Sequence, residues 1–399
     1  MSEWLEDTLG NYVAIQTGPF GSLLHASDYV PAGIPSIMPV NIGSARNIVQ
    51  DKICHISKSD ANRLEKYLVH KNDIIYSRRG DVEKCALITE RENGWLCGTG
   101  CLRIRIHNKK LDSIFCSYYL STDTVKSWVS ANAVGTTMPN LNSSILNRLP
   151  ILVPSLSEQK AIASVLSSLD NKIDLLHRQN KTLESMAETL FRQWFIEFPQ
   201  EHWEEKSLSQ IATFTNGLAC QKFPAVIGEE SLPVLKIKEL NSGVTNDTDM
   251  ATANVKPEYV VNHGDVIFAW SASLMVKIWS GPNCVLNQHL FNVRSNKYPK
   301  WFYYEWCKFH LREFISISQS HATTMGHIKR KDLDEAMVKI PSDSELNVMS
   351  VQIEPLLNQR IEKLKQIQAL EKLRDTLLPK LMSGEVRVQY AEEAIESIA

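Results

Sequence analysis

The sequence lacks nearly everything that marks a catalyst. Its 399 residues hold no GxxxxGK[ST] phosphate loop, no GxGxxG opening a helix, no HExxH and no GxSxG. The phosphate cradle, the dinucleotide turn, the zincin pair and the nucleophile elbow are therefore all missing. The Asp/Asn/Ser-Pro-Pro-aromatic tetrapeptide of amino-methyltransferases is absent too. No apolar run approaches the roughly 20 residues of a membrane span, and no basic stretch followed by an apolar one opens the chain, so a cytoplasmic protein is expected. The eight cysteines, Cys54, Cys85, Cys97, Cys101, Cys116, Cys220, Cys284 and Cys307, are scattered, unlike a disulfide framework or paired zinc ligands, and reduced, mostly buried thiols are expected. The isolated histidines, His289 among them, lack a partner at metal-ligand or nucleophile spacing and read as structural. No metal or cofactor is expected in this chain. A formal net charge of -2 gives no global field to attract a polyanion, so any nucleic-acid contact must be local.

What the chain does contain, it contains twice. Read from Trp4 and again from Trp203, Leu9 answers to Leu208, Gly18 to Gly217 and Pro35 to Pro233. The strand-like Asp73-Ile74-Ile75-Tyr76 answers to Asp265-Val266-Ile267-Phe268. Thr136-Thr137-Met138 then matches Thr323-Thr324-Met325, and Pro154-Ser155-Leu156-Ser157-Glu158 matches Pro341-Ser342-Asp343-Ser344-Glu345. The offset drifts from 199 (Trp4 to Trp203) to 187 (Pro154 to Pro341), as surface loops change length around a common core. A period this long is a domain duplication and not a solenoid. Common punctuation with different residues between points to related jobs on different targets.

Two segments have another texture. After Pro154 the apolar positions run Ile162, Leu166, Leu169, Ile173, Leu176, then Asn180, then Leu183, Ala187, Leu190 and Trp194. Steps alternating four and three predict a coiled-coil seam. Ser155 with Glu158 forms a capping box at its start and Pro199 closes it, which makes a helix of about 60 Å. Asn180 stands at an a position, where it either fixes register or faces a wet gap. The second segment starts with Ser342 and Glu345 and is expected to run to about Leu378, where Pro379 and Gly384 stop it, with Pro355 kinking it or marking where its continuous part begins. Its apolar residues Ile361, Leu364, Ile367, Leu370 and Leu373 recur every three, so the stripe slides around the cylinder. One face can pair with the first helix; the surplus needs the globular domains or a second protein. The helix-to-helix interface is expected at Leu166, Ile173, Asn180, Leu183, Leu190, Ile361, Leu364, Ile367 and Leu370.

The globular copies read as mixed strand and helix. Strands are expected at residues 34–40, 73–77, 101–106, 234–237, 266–270 and 290–293, and aromatic-rich helices near 113–130 and 299–318, with the aromatics in the core. Without a regular βαβ alternation the class is α+β. The domain plan is 1–154, a spacer helix 155–198, a second globular domain 199–341, a second spacer helix 342–382 and a tail 383–399. Local positive charge stands at Arg78-Arg79, at Arg103 and Arg105 with strand alternation, at Lys109-Lys110 and at Lys329-Arg330-Lys331. Each cluster is either a phosphate site or a solvated face.

The pattern resembles the DNA specificity subunits of type I restriction-modification systems, over almost the whole chain. It is carried by Thr17-Gly18-Pro19-Phe20-Gly21-Ser22, by the run from Lys71 to Asp81, and by Leu149-Pro150-Ile151-Leu152-Val153-Pro154 feeding Ser157-Glu158-Gln159-Lys160-Ala161-Ile162, all repeated more weakly in the second half. The second copy departs from the first: Trp270-Ser271 replaces the arginine pair, and Ser344-Glu345-Leu346 lacks the glutamine. The resemblance implies two target-recognition domains, each reading half of a split, asymmetric site on double-stranded DNA, held apart by two antiparallel helices in a pseudo-twofold repeat. It implies DNA contacts from Thr17, Phe20, Ser22, Arg78 and Arg79 in the first copy and from Asn216, Gln221, Trp270, Ser271 and Lys329 in the second. It also implies two methyltransferase subunits bringing S-adenosylmethionine and docking on the surplus helix face, and motor and nuclease subunits using ATP and Mg. Two other readings stay open: a DNA methyltransferase or nuclease acting alone, and a purely structural tether.

Overall fold

A computed structural model describes residues 4–135, 139–320 and 326–388. The repeated Thr136–Met138 and Thr323–Met325 triplets lie outside the described residues, as does most of the tail. The chain divides into two compact units, residues 1–171 with 371–399, and residues 172–370.

The first unit contains strands β1 (Leu5–Thr8), β2 (Val13–Thr17), β3 (Tyr29–Val30), β4 (Ile34–Ile37), β5 (Cys54–Ile56), β6 (Ile74–Ser77), β7 (Cys85–Leu87), β8 (Leu96–Cys97), β9 (Cys101–Ile106) and β10 (Pro150–Val153). They form a β1-β10 ribbon, a sheet of order β2-β9-β6-β7 and a sheet of order β3-β5-β4-β8. Among the described strands of this unit only the β4-β8 pair is parallel. The second unit contains β11 (Glu204–Ser207), β12 (Thr213–Asn216), β13 (Ser231–Leu235), β14 (Met250–Thr252), β15 (Val260–Val261), β16 (Val266–Ala269), β17 (Met275–Ile278), β18 (Cys284–Leu286), β19 (Leu290–Arg294) and β20 (Met337–Ile340). Its sheets are β11-β20, β12-β19-β16-β17 and β14-β13-β18-β15, again with one parallel pair, β13-β18. The sequence repeat is thus a repeat of mixed topology.

The repeated Asp-Ile/Val-Ile-Tyr/Phe stretch has a physical reason. Strand β6 is buried at all four positions, as is β16, so both carry apolar residues on both faces. The aspartate before each anchors the neighbouring strand. Buried Asp73 accepts from Arg105 Nε at 2.7 Å and Nη2 at 2.6 Å, and Asp265 accepts from Arg294 Nη2 at 2.7 Å and Asn292 Nδ2 at 3.1 Å. This corrects one sequence expectation: Arg103 and Arg105 are not a phosphate patch. Their alternation aims both inward, Arg105 at Asp73 and Arg103 at the carbonyls of Lys66 and Leu68. Gly18 and Gly217 are small for a common cause, since a Cβ would fall 2.2 Å from the oxygen of Gly98 and of Asn287 respectively.

The main helices are α1 (Ser113–Leu120), α2 (Asp123–Asn132), α3 (Leu156–Arg192), α4 (Lys300–Ser320) and α5 (Asp343–Ser383). The single helix expected over 113–130 is broken in two, because Thr122 takes an extended conformation and caps α2 through Val125 N–H. In α4, Trp301, Phe302, Tyr304, Trp306 and Phe314 are core residues, while Phe309 is exposed. All eight cysteines are free thiols, and all except Cys54 are buried. Burial pushes the Cys85 thiol up to about 11 and that of Cys97 up to about 12.

Both long helices open on their expected caps. Ser155 Oγ accepts from Glu158 N–H at 3.3 Å. At Ser342 the box is reciprocal, with Glu345 Oε2 taking the Ser342 amide at 2.8 Å. Along α3 the seam from Ile162 to Asn180 is buried, as is Ala187, but Leu183, Leu190 and Trp194 are half-buried. The buried stripe moves by one position to Phe191 and Phe195, which enter the aromatic core of the second unit beside Trp306 and Trp203, with centroids 5.0 and 5.2 Å away. A π-turn over Gln193–Glu197 accommodates that shift.

Two expectations for α5 are corrected. The helix is continuous from Asp343 to Ser383, so Pro355 does not mark where it begins and Pro379 does not stop it, while Gly384, the other expected stop, follows its last residue. Each proline is exposed, and each removes the amide that would bond the carbonyl four residues back, at Val351 and Asp375, which are themselves exposed. Of the two partners expected for the apolar stripe, the globular domain covers part of it. Ile367 and Leu370 are buried, and Ile361, Leu364 and Leu373 are half-buried, with Ile361 packed on the second unit's core. The large apolar side chains that the long helices expose are Leu156, Leu175, Met186, Val348 and Val351.

Within each unit the two helices run antiparallel past one tyrosine. In the first, Asp170 of α3 pairs with Arg374 of α5 at 3.2 Å and accepts from Tyr118 O–H at 2.6 Å, with Arg46 over the tyrosine ring. In the second, Glu184 of α3 pairs with Arg360 of α5 at 2.9 Å, and Arg360 Nη1 donates to Tyr304 at 3.0 Å. Between these helices Asn180 is buried with neither amide atom hydrogen-bonded to a described residue.

Candidate nucleic-acid interface

The sheet geometry brings the first copy's candidates to one edge. Thr17 ends β2 opposite Leu102, and Ser77 ends β6 opposite Cys101, so both strand ends meet the start of β9. The backbone then closes the edge: Gly18 N–H donates to Cys101 O at 3.0 Å and Arg78 N–H to Gly100 O at 2.8 Å. Exposed Phe20 lies 5.5 Å from the Arg78 guanidinium. Arg78 Nε donates to Leu141 O at 3.3 Å, and exposed Arg79 bridges to Asn140. Ser22 is exposed on the next turn, Gly21–Leu23.

This edge is electrostatically unfinished. Burial, then the adjacent Arg79 charge, lowers the Arg78 pKa below its usual value, although the group stays charged at neutral pH. Among the described residues no carboxylate forms an ion pair with either arginine. Two adjacent cations, one half-buried and stacked near an aromatic ring, favour an anionic or acceptor-rich ligand.

The second copy builds the same edge from other side chains. Asn216 ends β12 opposite Phe291. Trp270 follows β16, donates from Nε1 to Asn216 Oδ1 at 3.2 Å and stacks on Phe291 at 5.7 Å. Buried Ser271 bridges to His327, and its Oγ lies 3.1 Å from His289 Nδ1. Lys329 is exposed two residues beyond His327, its amide donating to Asp332 at 2.6 Å. Gln221 is exposed on the separate turn Cys220–Lys222, and among the described residues no hydrogen bond joins it to the Trp270 group. Sequence reasoning set His289 aside as structural. Both ring nitrogens do have partners, but those partners are Ser271 and Gln288, at this edge. The signal that could have found them is the turn's place in the repeat, opposite Gly98-Thr99-Gly100.

The serine–histidine contact at the second edge, Ser271 Oγ to His289 Nδ1 at 3.1 Å, has its hydroxyl buried, and among the described residues no group of three His, Cys, Asp or Glu side chains could hold a metal ion. No helix among them is long and apolar enough to cross a membrane. What the edges offer is hydrogen-bonding and cationic groups on two similar scaffolds.

Known proteins carry the same organisation. The chain is 27% identical over 397 residues to the type I restriction enzyme MjaIX specificity subunit of Methanocaldococcus jannaschii, covering 91% of this chain and 89% of that one. It is 23% identical over 358 residues to the MjaVIII specificity subunit of the same organism, covering 82% and 81%. A solved S subunit of a type I restriction-modification system from M. genitalium has the same fold, with a TM-score of 0.62 at 18% identity over 95% of this chain and 96% of that one. Residues 35–185 and 200–372 match the type I restriction modification DNA specificity domain, and since those two matches span both copies and most of the chain, the protein belongs to that family of DNA specificity subunits.

Proposed function

We propose that this chain is the sequence-reading subunit of a type I restriction-modification complex, each unit reading one half of an asymmetric, bipartite site on double-stranded DNA. The observation that carries the proposal is the duplicated sheet edge: one scaffold used twice, presenting Phe20, Arg78 and Arg79 in one copy and Asn216, Trp270 and Ser271 in the other. Phosphate contacts would position each unit and side chains on base edges would specify, with the Arg pair suited to guanine O6/N7 or to phosphate. Thr17, Ser22, Gln221 and Lys329 are assigned to backbone positioning.

In this reading α3 and α5 act as an antiparallel, pseudo-twofold coiled-coil spacer. They also dock two methyltransferase subunits, which bring S-adenosylmethionine, while motor and nuclease subunits bring ATP and Mg. Leu175, Met186, Val348 and Val351, exposed on the helices, are the apolar positions that such a subunit could cover. The chain itself contributes recognition and no chemistry.

Arg78→Ala tests the first edge in the assembled complex. Binding to the preferred sequence is expected to fall by about 1–3 kcal/mol, with relaxed selectivity at one base position of one half-site. Equal weakening on every sequence would assign Arg78 to phosphate, and unchanged binding would remove this edge from the interface.

A further inference from the structure

The two copies differ most instructively in one three-residue turn. Between β8 and β9 stand Gly98-Thr99-Gly100, and between β18 and β19 stand Asn287-Gln288-His289. These turns occupy equivalent places. Each has a glycine pressed against its first residue, Gly18 on Gly98 and Gly217 on Asn287. Each takes, on the carbonyl of its last residue, the amide of the residue that follows the central strand: Arg78 on Gly100 at 2.8 Å and Trp270 on His289 at 3.4 Å.

They differ in what they present. The first turn has one side chain, and Thr99 Oγ1 is spent on Pro19 O at 2.8 Å. The second carries three, and they are organised from the inside out. Asn287 is buried and its Oδ1 accepts from His289 N–H at 3.3 Å. Ser271 is buried and holds His289 Nδ1 at 3.1 Å, while the Trp270 ring lies 5.9 Å from the imidazole. His289 Nε2 stands 3.4 Å from Gln288 Nε2, and Gln288 N–H donates to Leu218 O at 2.9 Å. With the glutamine amide donating to Nε2, His289 carries its proton on Nδ1 and gives it to Ser271. Gln288 then keeps its Oε1 and one N–H, which meet no other hydrogen-bonding group among the described residues.

We infer that Gln288 is a base-reading residue of the second unit, specific for adenine in the major groove, with His289 and Ser271 as positioning residues. A carbonyl oxygen beside an N–H matches adenine's N6–H donor and N7 acceptor in one bidentate pair, whereas guanine offers two acceptors there and would face Oε1 with O6 or N7. An amide already tethered through His289 and Ser271 loses less side-chain freedom on binding than a mobile glutamine would. The inference rests on the DNA-reading proposal above and adds to it a residue, a base and a half-site.

The test is a map of methylated adenines made by the complex containing wild-type chain, Gln288→Ala or Gln288→Glu. Discrimination at one position of one half-site is expected to fall roughly 5- to 150-fold for the alanine variant, with the other half-site and the melting temperature unchanged. The glutamate variant keeps an acceptor and loses the donor, so preference at that position should move toward cytosine, whose N4–H donates. His289→Ala should relax the same position and no other. A split wild-type map with all three variants unchanged overturns this inference alone. A wild-type complex with no sequence preference would overturn the DNA-reading proposal along with it.

Discussion

Arg360→Ala is expected to destabilise the second unit by about 2–3 kcal/mol. The side chain bonds Glu184 at 2.9 Å and Tyr304 at 3.0 Å, and Lys308 lies 3.1 Å from Glu184 and 3.5 Å from buried Glu305, whose carboxyl burial pushes up to about 7. Without Arg360 one lysine serves two carboxylates. Breaking a fully buried pair costs about 3–5 kcal/mol; the Glu184 side chain is 33% exposed, so water recovers part of that. The matching change in the first unit, Arg374→Ala, should cost only about 1 kcal/mol, because Asp170 keeps Arg46 and Tyr118. The Arg360→Ala deficit should also shrink as pH falls from 8 toward 6. Removing a cation raises further the folded pKa of Glu305, which burial already holds above its usual value, so over this range the variant takes up more protons on folding than the wild type does and recovers stability as pH drops. Chemical denaturation of both variants across that pH range checks the ranking; an equal or larger loss for Arg374→Ala would contradict it.

A larger effect on function is expected from lengthening the helices. Asp170 and Glu184 stand two heptads apart on α3, and their partners Arg374 and Arg360 stand two heptads apart on α5. Matched insertions of four residues, one between Asp170 and Glu184 and one between Arg360 and Arg374, keep both pairs and add about 6 Å to each helix. Four residues exceed one turn slightly, so the seam can re-pair after a local stutter. If the helices set the separation, the two half-sequences should stay as they are while the gap between them grows by one or two base pairs of roughly 3.4 Å. Lengthening α3 alone forces one ion pair apart and should cost activity. An active doubly lengthened complex with an unchanged gap would mean that the helices serve as a scaffold and not as the spacer.

Much of this was legible in the sequence, and the remainder was hidden for identifiable reasons. The duplication was visible because Gly18 and Gly217, and Asp73 and Asp265, do backbone and strand-anchoring work that tolerates little else. The long helices were visible because heptad spacing and Ser-Glu caps are local signals. Arg103 and Arg105 misled because strand alternation tells that two side chains share a face, not whether that face meets water or Asp73. Pro379 misled because a missing amide matters less when the freed carbonyl faces solvent along a helix packed on its other side. The Ile361 to Leu373 stripe left two partners open because the residues that pack on it come from distant parts of the chain. Gln288 and His289 were passed over because single residues carry no pattern, and only the turn they share with Gly98-Thr99-Gly100 gives them one.

The central claim is that the two units read two half-sites independently. Adenine methylation mapping of a complex in which residues 1–154 are replaced by the corresponding domain of a relative tests it most directly. One half of the methylated sequence should change to that of the relative while the other half stays as it was; a change in both halves, or in neither, would contradict independent readout.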